Sequence, residues 1–207
     1  MSIGSHSNVP AQFKRSNPRQ LMSVAAVILA AGGGSRFVGD THKLLNTING
    51  RPIISLAIQS AIDAGIGEVL VVTGAANLDS VLSEFPNVVR VHNHNWAAGQ
   101  AVSIQCAIRS IGSEVSRVVV GLGDQPGIEP SSWRAIAEDP NEITVATYQG
   151  IRANPVGLNR SVWDLLPIDG DEGARKVMKM HPELVHELPC IGSSEDIDTV
   201  EDLRRWN

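Results

Sequence analysis

The chain has 207 residues, 43% hydrophobic and 19% charged, which supplies one sizeable core and excludes a disordered polymer. Seventeen Lys and Arg against 22 Asp and Glu leave a formal net charge of -5, the wrong sign for a general nucleic-acid binder but compatible with a local anion site. The longest strictly apolar run, residues 24–31, is far below the roughly 18 needed to cross a bilayer, so no membrane span is expected.

Residues 1–22 carry Pro10, Pro18, Lys14, Arg15 and Arg19 among several Ser and Asn, without the apolar stretch of a secretory signal. They are expected to form a mobile tail. After them, short apolar runs at 24–29, 68–72, 88–91, 118–122 and 143–146 read as strands. Between these runs Ile54, Ile58 and Ile62 recur four apart, and Ile104, Ile108 and Ile111 recur at four and three, each marking an amphipathic helix. The alternation predicts an α/β chain with a mainly parallel sheet covered by helices. Residues 160–166 and 172–180 read as further helices, and Thr199 with Asp202 as a capping box opening the last one. No linker or fixed-period repeat divides residues 23–207, so one domain is expected. Cys106 and Cys190 lack metal or redox spacing, which points to a reducing, cytoplasmic compartment.

The first strand runs into Leu29, Ala30, Ala31, Gly32, Gly33, Gly34, Ser35 and Arg36, with Lys43 shortly after. A phosphate-binding Walker loop requires Lys after its second Gly, and Asp40 follows Gly39 instead; a dinucleotide fingerprint requires a third Gly where Phe37 stands. What survives is physical. Three adjacent glycines past a buried strand let backbone N–H groups converge on an anion. Arg36 and Lys43 add positive charge, one a bidentate fork and the other a mobile point charge. Past the fourth strand, Gly123-Asp124-Gln125-Pro126 presents one carboxylate at what should be the same sheet edge, a candidate Mg²⁺ ligand. Asp196 and Asp198 share one side of a stretch if it is extended, and either is a candidate second carboxylate.

Taken in order, LAAGGGSRFVGDTHKLL, GDQP, GDEGAR and DIDTVEDL resemble the molybdenum-cofactor nucleotidyltransferases, most closely the cytidylyltransferase branch, over about residues 24–206. The resemblance implies a single-domain, Rossmann-like three-layer nucleotidyltransferase fold with a mostly parallel mixed sheet. It implies Mg²⁺-dependent transfer from an NTP, CTP favoured, to the phosphate of molybdopterin with release of pyrophosphate, and a recipient molybdoenzyme as a possible partner. On this likeness Leu29 to Ser35 form the nucleotide loop, Arg36 and Lys43 serve the phosphates, Asp124 holds the metal, and Asn93, Gly99 and Ser103 face the nucleobase. Where the branch commonly reads Gly-His-Pro-Val this chain has Ala153-Asn154-Pro155-Val156, so an imidazole near the acceptor is missing. A guanylyltransferase acting on molybdopterin, phospholactate or a sugar phosphate, and a non-catalytic nucleotide or molybdopterin carrier, are the competing readings. Trp96 is expected to be a packing residue, and His42, His92 and His94 surface residues.

Overall fold

The computed structural model describes residues 23–39 and 41–207; the tail expected over residues 1–22 lies outside them. The chain runs through β1 (Ser23–Ala30), a small hairpin of β2 (Thr47–Ile48) and β3 (Arg51–Pro52), α1 (Ile53–Ala64), β4 (Gly67–Thr73), α2 (Asp79–Leu82) and β5 (Val89–His92). It continues through α3 (Gln100–Ser110), β6 (Val115–Leu122), α4 (Pro130–Glu138), β7 (Ile143–Tyr148), β8 (Ile151–Asn159), α5 (Ala174–Met180), β9 (Val185–Pro189) and α6 (Val200–Trp206).

Every residue of β1 after Ser23 is buried, so both faces of this strand need cover and it belongs inside the sheet. The seven-stranded order β5-β4-β1-β6-β8-β7-β9 places it there, with every pairing parallel except the two made by β8. Alternation along β1 then sorts the core into two layers. Ala25, Val27 and Leu29 pack with Ile104 and Ala107 of α3 and with Val177 of α5. Ala26, Ile28 and Ala30 pack with Ile54 and Ile58 of α1 and with Trp133 and Ile136 of α4. The result is the expected three-layer α/β arrangement with a mostly parallel mixed sheet.

Several boundaries differ from the sequence expectation, for local reasons. The inner stripe of α1 is completed by buried Ala61, while Ile62 turns outward at 37% exposure. Ile111 lies just past the end of α3. Residues Arg160–Leu165 form a 3₁₀ stretch instead of an α-helix and stop before Pro167. Glu172 stays outside α5, which begins at Ala174. The capping box is present: Asp202 N–H donates to Thr199 Oγ1 at 3.1 Å and Thr199 N–H to Asp202 Oδ2 at 2.7 Å.

One buried charge ties α4 to the antiparallel half of the sheet. The Arg117 guanidinium, on β6, donates to Ile136 O, Asn141 O, Asn159 Oδ1 and Thr144 Oγ1. The Thr144 hydroxyl in turn donates a hydrogen bond to Asp139 Oδ1 at 2.7 Å. Among the described residues no helix is long and apolar enough to cross a membrane.

Candidate functional site

Parallel pairing sets the carboxyl ends of β1 and β6 side by side, with Leu29 opposite Leu122 and the Gly123 N–H donating to Leu29 O at 2.9 Å. The glycine loop and the Asp124 turn therefore leave the same edge, where open α/β sheets commonly bind ligands. A cavity of about 460 Å³ opens there. Its wall contains Leu29, Ala30, Ala31, Gly32, Gly33, Gly34, Ser35, Arg36, Lys43, Gly99, Ser103, Asp124 and Asp198. Lys43 and Asp124, 81 positions apart, and Lys43 and Asp198, 155 apart, thus close into one surface because the sheet aligns its strands.

The loop's shape follows from its residues. Gly34 takes φ +62°, a left-handed turn disfavoured for residues with a Cβ, and its carbonyl accepts from Phe37 N–H at 2.9 Å. A Cβ built on Gly32 would meet no atom of the described residues within 4 Å, so that stretch of backbone faces open space among them. His42 fastens the loop from behind. Its Nδ1 accepts from Leu44 N–H at 3.3 Å, which leaves Nε2 as the donor to Gly32 O at 3.0 Å. The expectation that His42 is an idle surface residue is thereby corrected.

Lys43 begins a short 3₁₀ turn anchored by buried Leu44. Its ammonium contacts Asp124 and lies 2.9 Å from Asp198 Oδ1, while Arg36 reaches Asp198 Oδ2 at 2.8 Å. Burial alone would lower the Lys43 pKa, but the two carboxylates outweigh it and hold the group above its ordinary 10.5. Asp198 is placed by its neighbour: Ile197 is fully buried and its N–H donates to Asp124 O at 3.0 Å, laying this segment along the Asp124 turn.

Two expected site residues fall elsewhere. Asp196 is on the flank of this segment and does not line the cavity. Its carboxyl is pushed above the usual range by desolvation and then by the nearby Asp124 charge. Asn93 is buried and absent from the cavity wall. Its side chain donates to Ser103 Oγ at 3.0 Å and accepts from Asn95 N–H at 2.9 Å, so it braces the turn before α3.

The same turn delivers a residue the sequence reading assigned to packing. Trp96 is 37% exposed, lines the cavity, and lays its ring over Gly33, within 3.3 Å of where a Cβ would stand. Gly99 then takes φ +107° and passes so close to Gly170 that a Cβ would come within 2.4 Å of its carbonyl group. Backbone bonds from Ala101 N–H to Gly170 O and from Gly170 N–H to Ala98 O, at 3.0 and 2.9 Å, lock the GDEGAR loop to the start of α3. That lock carries Asp171 into the wall. Asn154 donates to Gln125 Oε1 at 3.1 Å, beside Asp124.

Chemically, the cavity offers exposed backbone, two cations and two convergent carboxylates. Hard divalent ions are usually bound by one or two carboxylates together with substrate phosphates, and the donor set at Asp124 and Asp198 fits that habit. Among the described residues no group of three or more His, Cys, Asp or Glu is placed to hold a metal by itself.

Over residues 26–186 the sequence matches the model of the MobA-like NTP transferase domain. The chain belongs to that family. It is a nucleotidyltransferase by family and by fold, as its four ordered motifs led us to expect. A nicotine blue oxidoreductase of Paenarthrobacter nicotinovorans is 30% identical over 203 residues, covering 89% of this chain and 97% of the relative. The bifunctional protein GlmU of Pelotomaculum thermopropionicum is 32% identical over 192 residues, 90% of this chain, which spans only 42% of GlmU. Among solved structures, Rv0371c of Mycobacterium tuberculosis superposes with TM-score 0.78 at 26% identity, covering 89% of this chain and 97% of that one. The same protein in complex with manganese gives TM-score 0.75 at 24% identity, covering 89% and 98%.

Proposed function

We propose that residues 23–207 act as one domain that transfers a cytidylyl group from CTP to the phosphate of molybdopterin, in the cytoplasm and with Mg²⁺. The observation that carries the reading is the meeting of Asp124, Asp198 and Lys43 across one cavity from the open backbone of Gly32. The cytidine and molybdopterin assignments are supported by the likeness of the four motifs to that branch, and the divalent ion by the two carboxylates and by the manganese complex of the Mycobacterium relative.

The reaction needs no side-chain nucleophile. An oxygen of the acceptor phosphate attacks the α-phosphorus of the NTP in line, the bond from that phosphorus to the bridging β-phosphate oxygen breaks, and pyrophosphate leaves with the electron pair. By analogy with phosphoryl transfer, positioning and charge neutralisation supply the rate. Backbone amides of Gly32 to Ser35 orient the β- and γ-phosphates. Arg36, largely exposed, and Lys43 offset charge growing on the leaving pyrophosphate. A divalent ion held by Asp124 and Asp198 would supply further neutralisation at the phosphates. Asn93 keeps Ser103 and the Trp96 turn in register, a positioning role.

Asp124→Asn is expected to lower the rate of pyrophosphate release from CTP and molybdopterin at least about 100-fold while leaving the thermal transition cooperative. Near-wild-type release by that variant overturns the assignment of Asp124. Nucleotide binding without pyrophosphate release by the wild type would make the chain a carrier. An oxidation–reduction without pyrophosphate, the class of activity named for the Paenarthrobacter relative, would overturn the transfer reading as a whole.

A further inference from the structure

A second cavity, about 270 Å³, lies between the sheet and the layer formed by α3 and α5. It adjoins the first, because Leu29 and Gln100 line both. Its inner wall is aliphatic, made by Leu29, Ile104, Val120, Val145, Val156 and Met178. Among the described residues no Asp or Glu lines it, and its charged residues are the cations Arg152, Arg175 and Lys179.

These cations are available in different degrees. Arg152 pairs with Glu187 at 2.7 Å and Lys179 with Glu172, but the first pair is about half exposed and the second more so, the kind that contributes little and exchanges readily. Arg175 is exposed, and none of the ion pairs formed among the described residues includes it. The neutral hydrogen-bonding side chains are Gln100 and Asn154, and the Asn154 amide already donates to Gln125. A polyhydroxylated ring entering this space would leave several hydroxyls without partners, each at a cost of roughly 1–3 kcal/mol. An apolar or aromatic body would instead bury its surface against the aliphatic wall, with its negative charge met by the cationic rim.

We propose that this second cavity is the acceptor pocket, that it takes an organic anion with an apolar or aromatic body, and that it rejects sugar phosphates. The assignment rests on the nucleotidyl-transfer reading for its role, and on the cavity's lining for its ligand class. Arg175 is its principal anion anchor.

The test uses the whole chain, with 8-anilinonaphthalene-1-sulfonate as an apolar organic anion and glucose 1-phosphate as the hydroxylated one. Fluorescence titration is expected to show saturable binding of the sulfonate that persists when CTP and Mg²⁺ are added. Arg175→Glu, a change at an exposed position, should weaken that binding about tenfold or more, and Ala153→Phe, which fills the cavity, should do the same. Neither variant should move the calorimetric affinity for CTP more than about twofold. Glucose 1-phosphate should fail to displace the probe. Unchanged binding in Arg175→Glu, displacement by glucose 1-phosphate, or displacement by CTP would each overturn the proposal. If the probe pattern holds but no acceptor yields pyrophosphate, the cavity's ligand class stands and the transfer reading alone fails.

Discussion

Asp198 lies 2.9 Å from the Lys43 ammonium, and the same ammonium touches Asp124, so carboxylates from two distant segments share one cation. The contact joins the glycine-loop region to the segment before α6, beside the apolar packing of Phe37 and Ile48 with Ile197 and Leu203. Lys43 neutralises the two carboxylates proposed above to hold a divalent ion, and its flexible stem would let it move toward a phosphate. Lys43→Met leaves the two carboxylates with only the exposed Arg36, paired to Asp198, to offset their charge. We expect a loss of about 1–3 kcal/mol in unfolding free energy, of which millimolar MgCl₂ restores a larger part than it adds to the wild type. Paired thermal melts with and without magnesium check this, and equal magnesium shifts in both proteins would refute it.

Gly32 gives a cleaner probe of the phosphate cradle than its neighbours. A methyl group there meets no atom of the described residues and the backbone needs no left-handed turn, whereas Gly33 is roofed by Trp96 and Gly34 requires positive φ. Gly32→Ala should therefore leave the melting temperature within a degree or so of wild type, as neutral surface changes do. It should raise the KM for CTP about tenfold or more by crowding the amides. Steady-state kinetics alongside a melt separates the two effects; an unchanged KM would remove Gly32 from the nucleotide loop.

The parts of this site visible in the sequence are those written contiguously. β1, the three glycines and Asp124 are each local, because an apolar strand followed by glycine or by Gly-Asp declares itself within ten residues. Alternation could not choose between Asp196 and Asp198, since both sit on one side of an extended stretch; the choice is made by Ile197 burying itself beside the Asp124 turn. Trp96 and His42 were hidden for the same reason. Each acts on the glycine loop across a contact that exists only after the sheet closes. β8 escaped notice because its first half is polar and carries Pro155, and the hairpin feeding it turns through Gln149 and Gly150, both at positive φ, without the usual Asn-Gly signal. β9 buries none of its five residues fully and so shows no apolar run.

Trp96 offers a direct readout of nucleotide occupancy. Its ring forms part of the cavity wall next to Gly33, in the loop proposed above to hold the nucleotide. Base–aromatic stacking is worth about 1–3 kcal/mol per base. Trp96→Ala should weaken CTP binding about tenfold, with a small effect on stability because the ring is not part of the closed core. Titration calorimetry measures the affinity, and the wild type should show a CTP-dependent change in tryptophan emission that the variant lacks. Equal affinities would return Trp96 to a packing role.

The acid side of the stability profile should be set in part by Asp139, far from the cavity. Burial by itself would raise its pKa, but hydrogen bonds from Thr144 and Asn141 and the charge of His186 win, holding it below its ordinary 3.8. A depressed carboxylate contributes stability that is complete above the unfolded value and is lost as pH falls through the folded one. Wild-type stability should therefore decline as pH drops below about 4, as the Asp139 link between β7, Asn141 and His186 is protonated. Asp139→Asn should cost about 1 kcal/mol at neutral pH and flatten that decline. Urea unfolding at a series of pH values tests the sign: a variant that loses stability with acid as steeply as the wild type would show that the charge of Asp139 is not what the Arg117 and Thr144 network relies on.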